Sequence, residues 1–173
     1  MSRSDITIRR AGPDDAEVVV KIYVESSNLG FQSRIPRKES DQPRIERWRR
    51  DLSDTTPTRW WVAQRCGTVI GLVGIGPCRD PVQAGLGELD TIAVTPSSWH
   101  TGIGKVLMTT ALEALRRDGY NSAALWTLSH YPLGESFYRS TGWRLNGATR
   151  NGGNQVRYDH DLSPSVGGSP HNK

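Results

Sequence analysis

No stretch of this 173-residue chain approaches the roughly 20 consecutive apolar residues that a membrane-spanning helix needs, so no membrane partner is expected. The opening Met-Ser-Arg-Ser-Asp has no apolar segment, and no secretion signal is expected either. Cysteine is scarce. Cys66 and Cys78 have no patterned spacing, which argues against a disulfide scaffold and fits a reducing cytoplasm. His100, His130, His160 and His171 show no metal-ligand spacing, so no metal is expected. Lysine occurs only at positions 21, 38, 105 and 173, so arginine carries most of the formal charge of +4. That balance suits nucleic acid or an anionic small ligand without choosing between them. The length suits one domain with a real core, and there are no internal repeats.

Glycine, by contrast, is plentiful at 18 residues, and two of these carry the strongest signal in the chain. The run from Leu89 to Met108 reads as a strand, a tight turn holding Gly102 and Gly104, and a helix opening near Lys105. Such a turn aims successive backbone N–H groups at one point, on the positive end of a helix dipole, which is a site for a phosphorylated ligand. A Walker A loop is excluded, because Trp99 stands where its first glycine belongs and Val106 where its Ser or Thr belongs. A Rossmann fingerprint is excluded by Leu107 at its third glycine position.

The rest of the chain reads as alternating elements. Ile6–Arg9 alternates as a strand, and residues 14–27 carry Ala16, Val19, Val20 and Tyr23 at helical spacing. Residues 28–42 are a polar loop, and Ile45, Trp48 and Leu52 make a second helical stripe. Residues 60–65 and 69–75 form a hairpin around Cys66-Gly67-Thr68, and residues 87–94 are the next strand. A helix over 104–118 turns Leu107, Ala111, Ala114 and Leu115 inward and ends at Gly119. A strand over 122–127, a short helix over 133–140, and strands at 143–145 and 155–161 complete the order. Residues 1–162 make one domain, and 163–173 read as a disordered tail.

A second motif follows the first by about 30 residues, with a helix and strand between them. Tyr131-Pro-Leu-Gly-Glu-Ser-Phe-Tyr-Arg-Ser-Thr-Gly-Trp143 is similar to the signature Asn-x-x-Ala-x-x-Phe-Tyr-x-x-x-Gly-Phe/Trp of the GNAT superfamily of N-acetyltransferases. The Gly102–Gly104 turn resembles that superfamily's Gln/Arg-x-x-Gly-x-Gly/Ala turn. Three positions depart: Trp99 replaces Gln or Arg, Tyr131 replaces Asn, and Gly134 replaces Ala. The element order β-α-α-β-β-β-α-β-α-β-β is also that superfamily's, so the resemblance covers roughly residues 6 to 162. It implies an α/β (α+β) fold, a mixed and mostly antiparallel twisted sheet of about seven strands flanked by about four helices.

The resemblance further implies an acyltransferase that moves an acetyl group from acetyl-CoA to a primary amine. Tyr138 is then the general acid toward the coenzyme A sulfur, a phenol of ordinary pKa about 10 being protonated at neutral pH. The backbone of Ile92, Ala93 and Val94 is expected to hold the pantetheine arm and present an oxyanion donor. His100, Thr101, Gly102, Ile103, Gly104 and Lys105 are expected at the pyrophosphate, with Tyr131, Gly134 and Phe137 also on the cofactor. Glu88 is the expected base, acting directly or through water, or else it is a solvated strand-end carboxylate. Asp90 shares its face if the strand is regular, and a bulge would reassign the faces.

The acceptor amine is expected under the first two helices, with Phe31, Arg34, Trp60, Asp90 and His130 as its contacts. Arginines and aromatics there suit a carboxylate, a phosphate or a planar group, or else they form a solvated helix face with Trp48 in the core. Three readings stay open: a small-molecule acceptor, a protein N-terminus or lysine, and a non-catalytic acyl-CoA sensor. The partners expected are acetyl-CoA, an amine and a second copy in a homodimer, with no nucleic acid.

Overall fold

The computed structural model describes residues 5–80 and 84–164, so the tail expected at 163–173 lies almost wholly outside the described residues. Strand β1 (Ile6–Arg10) leads through a 3-10 turn at Pro13–Asp15 into helix α1 (Ala16–Phe31). Helix α2 (Gln42–Asp51) follows, capped by the Asp41 side chain, which accepts from the Arg44 amide at 3.0 Å. Strands β2 (Arg59–Arg65), β3 (Thr68–Pro77) and β4 (Leu86–Val94) precede helix α3 (Ile103–Arg117). Strand β5 (Ser122–Leu128), helix α4 (Pro132–Ser140) and strands β6 (Arg144–Arg150) and β7 (Gln155–Asp161) complete the order. The seven strands form one sheet in the order β1-β2-β3-β4-β5-β7-β6. Only β4 and β5 pair in parallel, so the mixed, mostly antiparallel sheet and the four flanking helices are those expected.

Alternating side chains send each strand's residues to two separate cores. On one face Trp60, Val62 and Leu72 meet α1 and α2; on the other Ala63, Val73 and Ile75 meet α3. All four residues expected on the inner face of α3, Leu107, Ala111, Ala114 and Leu115, are buried. Helix α1 buries more than one stripe, and Tyr23, at a stripe position in the sequence, is only partly buried. β6 is longer than its three-residue sequence signal. Its register against β7 slips between Leu145 and Thr149, and Gly147 there takes a positive φ of 95°. That irregularity hides the alternation on which a sequence reading depends.

An ion pair clamps β1 to the entry of α1. Arg9 grips Asp15 with two bonds of 2.7 and 2.8 Å, and the Gly12 amide donates to the same carboxylate at 2.9 Å. The Arg9 contact, opposed by burial and aided by the Gly12 amide, holds the Asp15 carboxyl below its ordinary 3.8. A carboxyl lowered in the folded state contributes stability above its unfolded pKa and loses it as pH falls through the folded one. Asp15→Asn is therefore expected to cost about 1 kcal/mol at pH 7, because the Arg9 side chain is 42% exposed and screened. Urea unfolding of both proteins at pH 7 and pH 3 checks this, and the difference should shrink at the lower pH.

Candidate active site

The β4–β5 pair runs only through Leu86/Ser122, Gly87/Ala123 and Glu88/Ala124. Beyond Glu88 the two strands have no mutual pairing, so the β5-facing donors and acceptors of β4 are left without a strand partner. The opening is a cleft of about 890 Å³. Its walls include Ile92, Ala93 and Val94 of β4, Trp126 and Thr127 of β5, and Tyr138 of α4.

One end of the cleft is the turn before α3. Gly102 caps the helix with φ of 89° and no side-chain hydrogen bond. That left-handed geometry favours glycine. The Val106 amide makes the helical bond back to the Gly102 carbonyl, so the amides of Ile103, Gly104 and Lys105 have no acceptor within the helix. His100, Thr101, Gly102, Gly104 and Lys105 line the cleft here, while the Ile103 side chain is buried in the core. Trp99, at the position where Gln or Arg was expected, donates its indole N–H to the Val94 carbonyl at 2.7 Å. It fastens the turn to the end of β4 by one bond.

The two departures in the second motif are one compensated change. A Cβ on Gly134 would stand 2.4 Å from the Tyr131 ring, and one on Gly30 would stand 2.6 Å from the Tyr131 hydroxyl oxygen. The Tyr131 ring occupies the space that an alanine at 134 would need, and it meets Phe31 edge-on at 4.8 Å. Phe137 similarly lies beside Gly104, where a Cβ would approach its ring to 3.1 Å. The helix carrying the second motif thus packs directly on the turn carrying the first.

Tyr138 lines the cleft between Phe137 and Tyr158, each ring 5.6 Å away. Burial raises its phenol well above the ordinary value, the neighbouring Tyr131 adds to this, and a Thr127 hydroxyl interaction opposes it. The group holds its proton across the neutral range.

The two carboxylates of β4 have different places. β4 carries one extra residue against β3, since Gly74 pairs with Thr91 and Ile75 with Leu89. Asp90 is the bulged residue, and it lines the cleft. Burial raises its carboxyl above 3.8, and the Arg79 charge and a Thr91 hydrogen bond pull it back. Glu88 does not line the cleft. It is 5% exposed, and it accepts the Arg79 amide at 2.9 Å and Arg79 Nη2 at 2.6 Å. Arg79 Nη2 also reaches Asp90 at 2.9 Å. Glu88, the expected base, therefore lies behind the cleft wall with Arg79 of the β3–β4 connection on its carboxylate, while Asp90 faces the cleft.

Other expected acceptor contacts also move. Phe31 lines the cleft, but Trp60 sits in the α1–α2 core against Trp48, with ring centroids 4.8 Å apart. Arg34 donates to the Ser129 carbonyl at 3.4 Å rather than lining the cleft. His130 follows β5 with a positive φ of 54° and lies outside the cleft wall. In their place the cleft gains Tyr23, Ser27 and Lys38. Trp126 also lines it, held by an indole bond of 2.8 Å to Asp80. Nothing in the local sequence marks these four, because their contacts come from other segments. Among the described residues no three His, Cys, Asp or Glu side chains converge as metal ligands would, and no helix is long and apolar enough to cross a membrane.

Comparison with known proteins agrees with this geometry. The family model described as "Acetyltransferase (GNAT) family" matches residues 22–143. The uncharacterized N-acetyltransferase YuaI of Bacillus subtilis is 24% identical over 128 residues, covering 73% of this chain and 74% of YuaI. N-acetyltransferase 8 of Rattus norvegicus is 33% identical over 90 residues, which are 51% of this chain and 40% of the rat protein. The chain thus spans well under two thirds of that relative. Among solved structures, the PaiA N-acetyltransferase of Thermoplasma acidophilum, in complex with coenzyme A, superposes with a TM-score of 0.71 at 21% identity. That match covers 93% of this chain and 99% of the other.

Proposed function

Because this chain belongs to the GNAT acetyltransferase family, we propose that it transfers the acetyl group of acetyl-CoA to a small primary amine, by direct attack in a ternary complex. The observation that carries the reading is the β4–β5 gap, with free β4 backbone on one side, Tyr138 on the other and an uncapped helix N-terminus at its end. These residues fit the cofactor's chemistry. The amides of Ile103, Gly104 and Lys105 suit the pyrophosphate, and the backbone of Ile92 to Val94, which β5 does not pair on the gap side, suits the amide-bearing pantetheine arm. PaiA of Thermoplasma acidophilum, whose fold this chain shares, is known with coenzyme A bound.

The remaining steps fall to named side chains. Asp90 accepts a proton from the acceptor ammonium, directly or through water. The freed nitrogen lone pair attacks the thioester carbonyl carbon, forming the C–N bond. A β4 backbone N–H in the gap donates to the developing oxyanion. As the C–S bond breaks, the electron pair leaves on sulfur and the Tyr138 hydroxyl supplies the proton that completes the thiol. The amide nitrogen gives up its remaining extra proton to water, and the tyrosinate regains one from water. The amide and free coenzyme A are the products. Tyr23, Phe31 and Lys38 line the acceptor end, and a wall of individual side chains there suits a small molecule.

Thiol release from acetyl-CoA, measured against amino acids, polyamines, aminoglycosides and peptides, tests the proposal. Amine-dependent release with one small-amine class is the expected result. Turnover of peptides alone would favour a protein acceptor, and binding of acetyl-CoA without any turnover would favour a sensor.

A further inference from the structure

Lys38 lies in the loop between α1 and α2, yet both its backbone and its side chain are fixed. Asn28 of α1 donates to the Lys38 carbonyl at 2.9 Å and accepts from the Lys38 amide at 2.8 Å. The ammonium then reaches over α1. It donates to the Ser27 hydroxyl at 2.5 Å, and sits 5.2 Å from the Tyr23 ring centroid and 5.8 Å from that of Phe31. Ser27 is 5% exposed, and all four side chains belong to the cleft wall. Arg79, beside the cleft, has the carboxylates of Glu88 and Asp90. Lys38 forms no ion pair among the described residues.

A half-buried ammonium with aromatic faces and a hydroxyl, but no carboxylate, has lost part of its hydration without gaining a counter-ion. Burial and the Arg44 charge accordingly hold its pKa below the ordinary 10.5. A ligand anion restores the balance. Tyr23 relates this group to the reacting end. Lys38 lies over its ring, and both residues line the same cleft as Asp90. An acceptor whose amine is held at Asp90 can therefore extend past Tyr23 toward Lys38.

Resting on the proposed acetyl transfer, we propose that Lys38, with Ser27, is the anion-binding subsite of the acceptor. The substrate is then an amine that also carries an oxyanion, a carboxylate or a phosphonate, such as an amino acid rather than a polyamine. A charge-assisted bond in this half-buried place is expected to favour the anionic acceptor roughly tenfold or more.

The test uses matched pairs: each α-amino acid against its carboxamide, and each aminoalkylphosphonate against the plain alkylamine. kcat/KM is measured for wild type, Lys38→Met and Lys38→Arg, with coenzyme A affinity by calorimetry alongside. The expected result is an anionic member preferred roughly tenfold in at least one series, carried mostly by KM. The preference should collapse to within about twofold in Lys38→Met and partly return in Lys38→Arg, at unchanged coenzyme A affinity. The series that shows the preference separates a carboxylate from a phosphonate. Equal rates within every pair, or a preference that survives Lys38→Met, overturns the inference and leaves acetyl transfer standing. Loss of coenzyme A affinity in Lys38→Met also overturns it, by giving the lysine to the cofactor. If no amine reacts while coenzyme A still binds, the proposed function fails and the subsite falls with it.

Discussion

Tyr138→Phe is expected to lower kcat about a hundredfold while leaving the affinity for coenzyme A within about twofold. The substitution removes one oxygen from a ring packed against Phe137 and Tyr158, and those contacts do not use it. A loss in kcat without a loss in binding marks a group that acts in the transition state. The pH profile gives a second readout. Burial holds the Tyr138 phenol above its ordinary value of 10, so its ionisation should not lower activity anywhere below about pH 10. Stopped-time thiol assays across pH 6 to 10, on wild type and variant, check both points. An unchanged kcat in Tyr138→Phe would assign the proton on sulfur to another donor.

The second large effect is expected at Asp90. Asp90→Asn should lower kcat/KM by about a hundredfold or more, as loss of a general base does. Glu88→Gln should act less on kcat, since that carboxylate lies outside the cleft. The base form is the carboxylate, so activity should fall as pH falls through the Asp90 pKa. That midpoint should lie above the ordinary 3.8, because burial raises it. The stability sign is opposite to that of Asp15. A carboxyl raised in the folded state loses folding stability as pH rises through that pKa. Asp90→Asn at pH 7 is therefore expected to unfold no earlier in urea than wild type. Such a variant, folded and inactive, separates chemistry from structure. If Glu88→Gln instead proves the more damaging, the base is not the residue on the bulge.

The sequence was most legible where one local pattern decided the outcome. The Gly102–Gly104 turn and the Leu107, Ala111, Ala114, Leu115 stripe need only their own spacing, and both stand where expected. The element order was equally plain, although β6, whose register slips against β7, showed only its first residues. What escaped depends on pairing between distant segments. The bulge at Asp90 exists only in the register of β4 against β3. Arg79 reaches Glu88 because the chain reverses between β3 and β4, nine residues apart. Lys38 enters the cleft through Asn28, ten residues earlier, from a loop without periodicity. Trp60 reads as a strand aromatic near an acceptor, but α2 closes over it and brings Trp48 against its ring. Tyr131 and Gly134 look like two separate departures until the ring of one is seen in the space left by the other.

In the proposed function the β4–β5 gap and the turn before α3 form a coenzyme A site. Calorimetric titration of coenzyme A into wild type and Gly104→Val tests it most directly. A Cβ added at Gly104 would stand 3.1 Å from the Phe137 ring, so the larger valine must displace the turn, α4 or both. The wild type is expected to take one coenzyme A per chain with a dissociation constant below about 1 mM, and the folded variant to bind it roughly tenfold or more weakly. Absence of binding to the wild type would mean that the cleft is not a coenzyme A site, and the proposed acetyl transfer would fall with it.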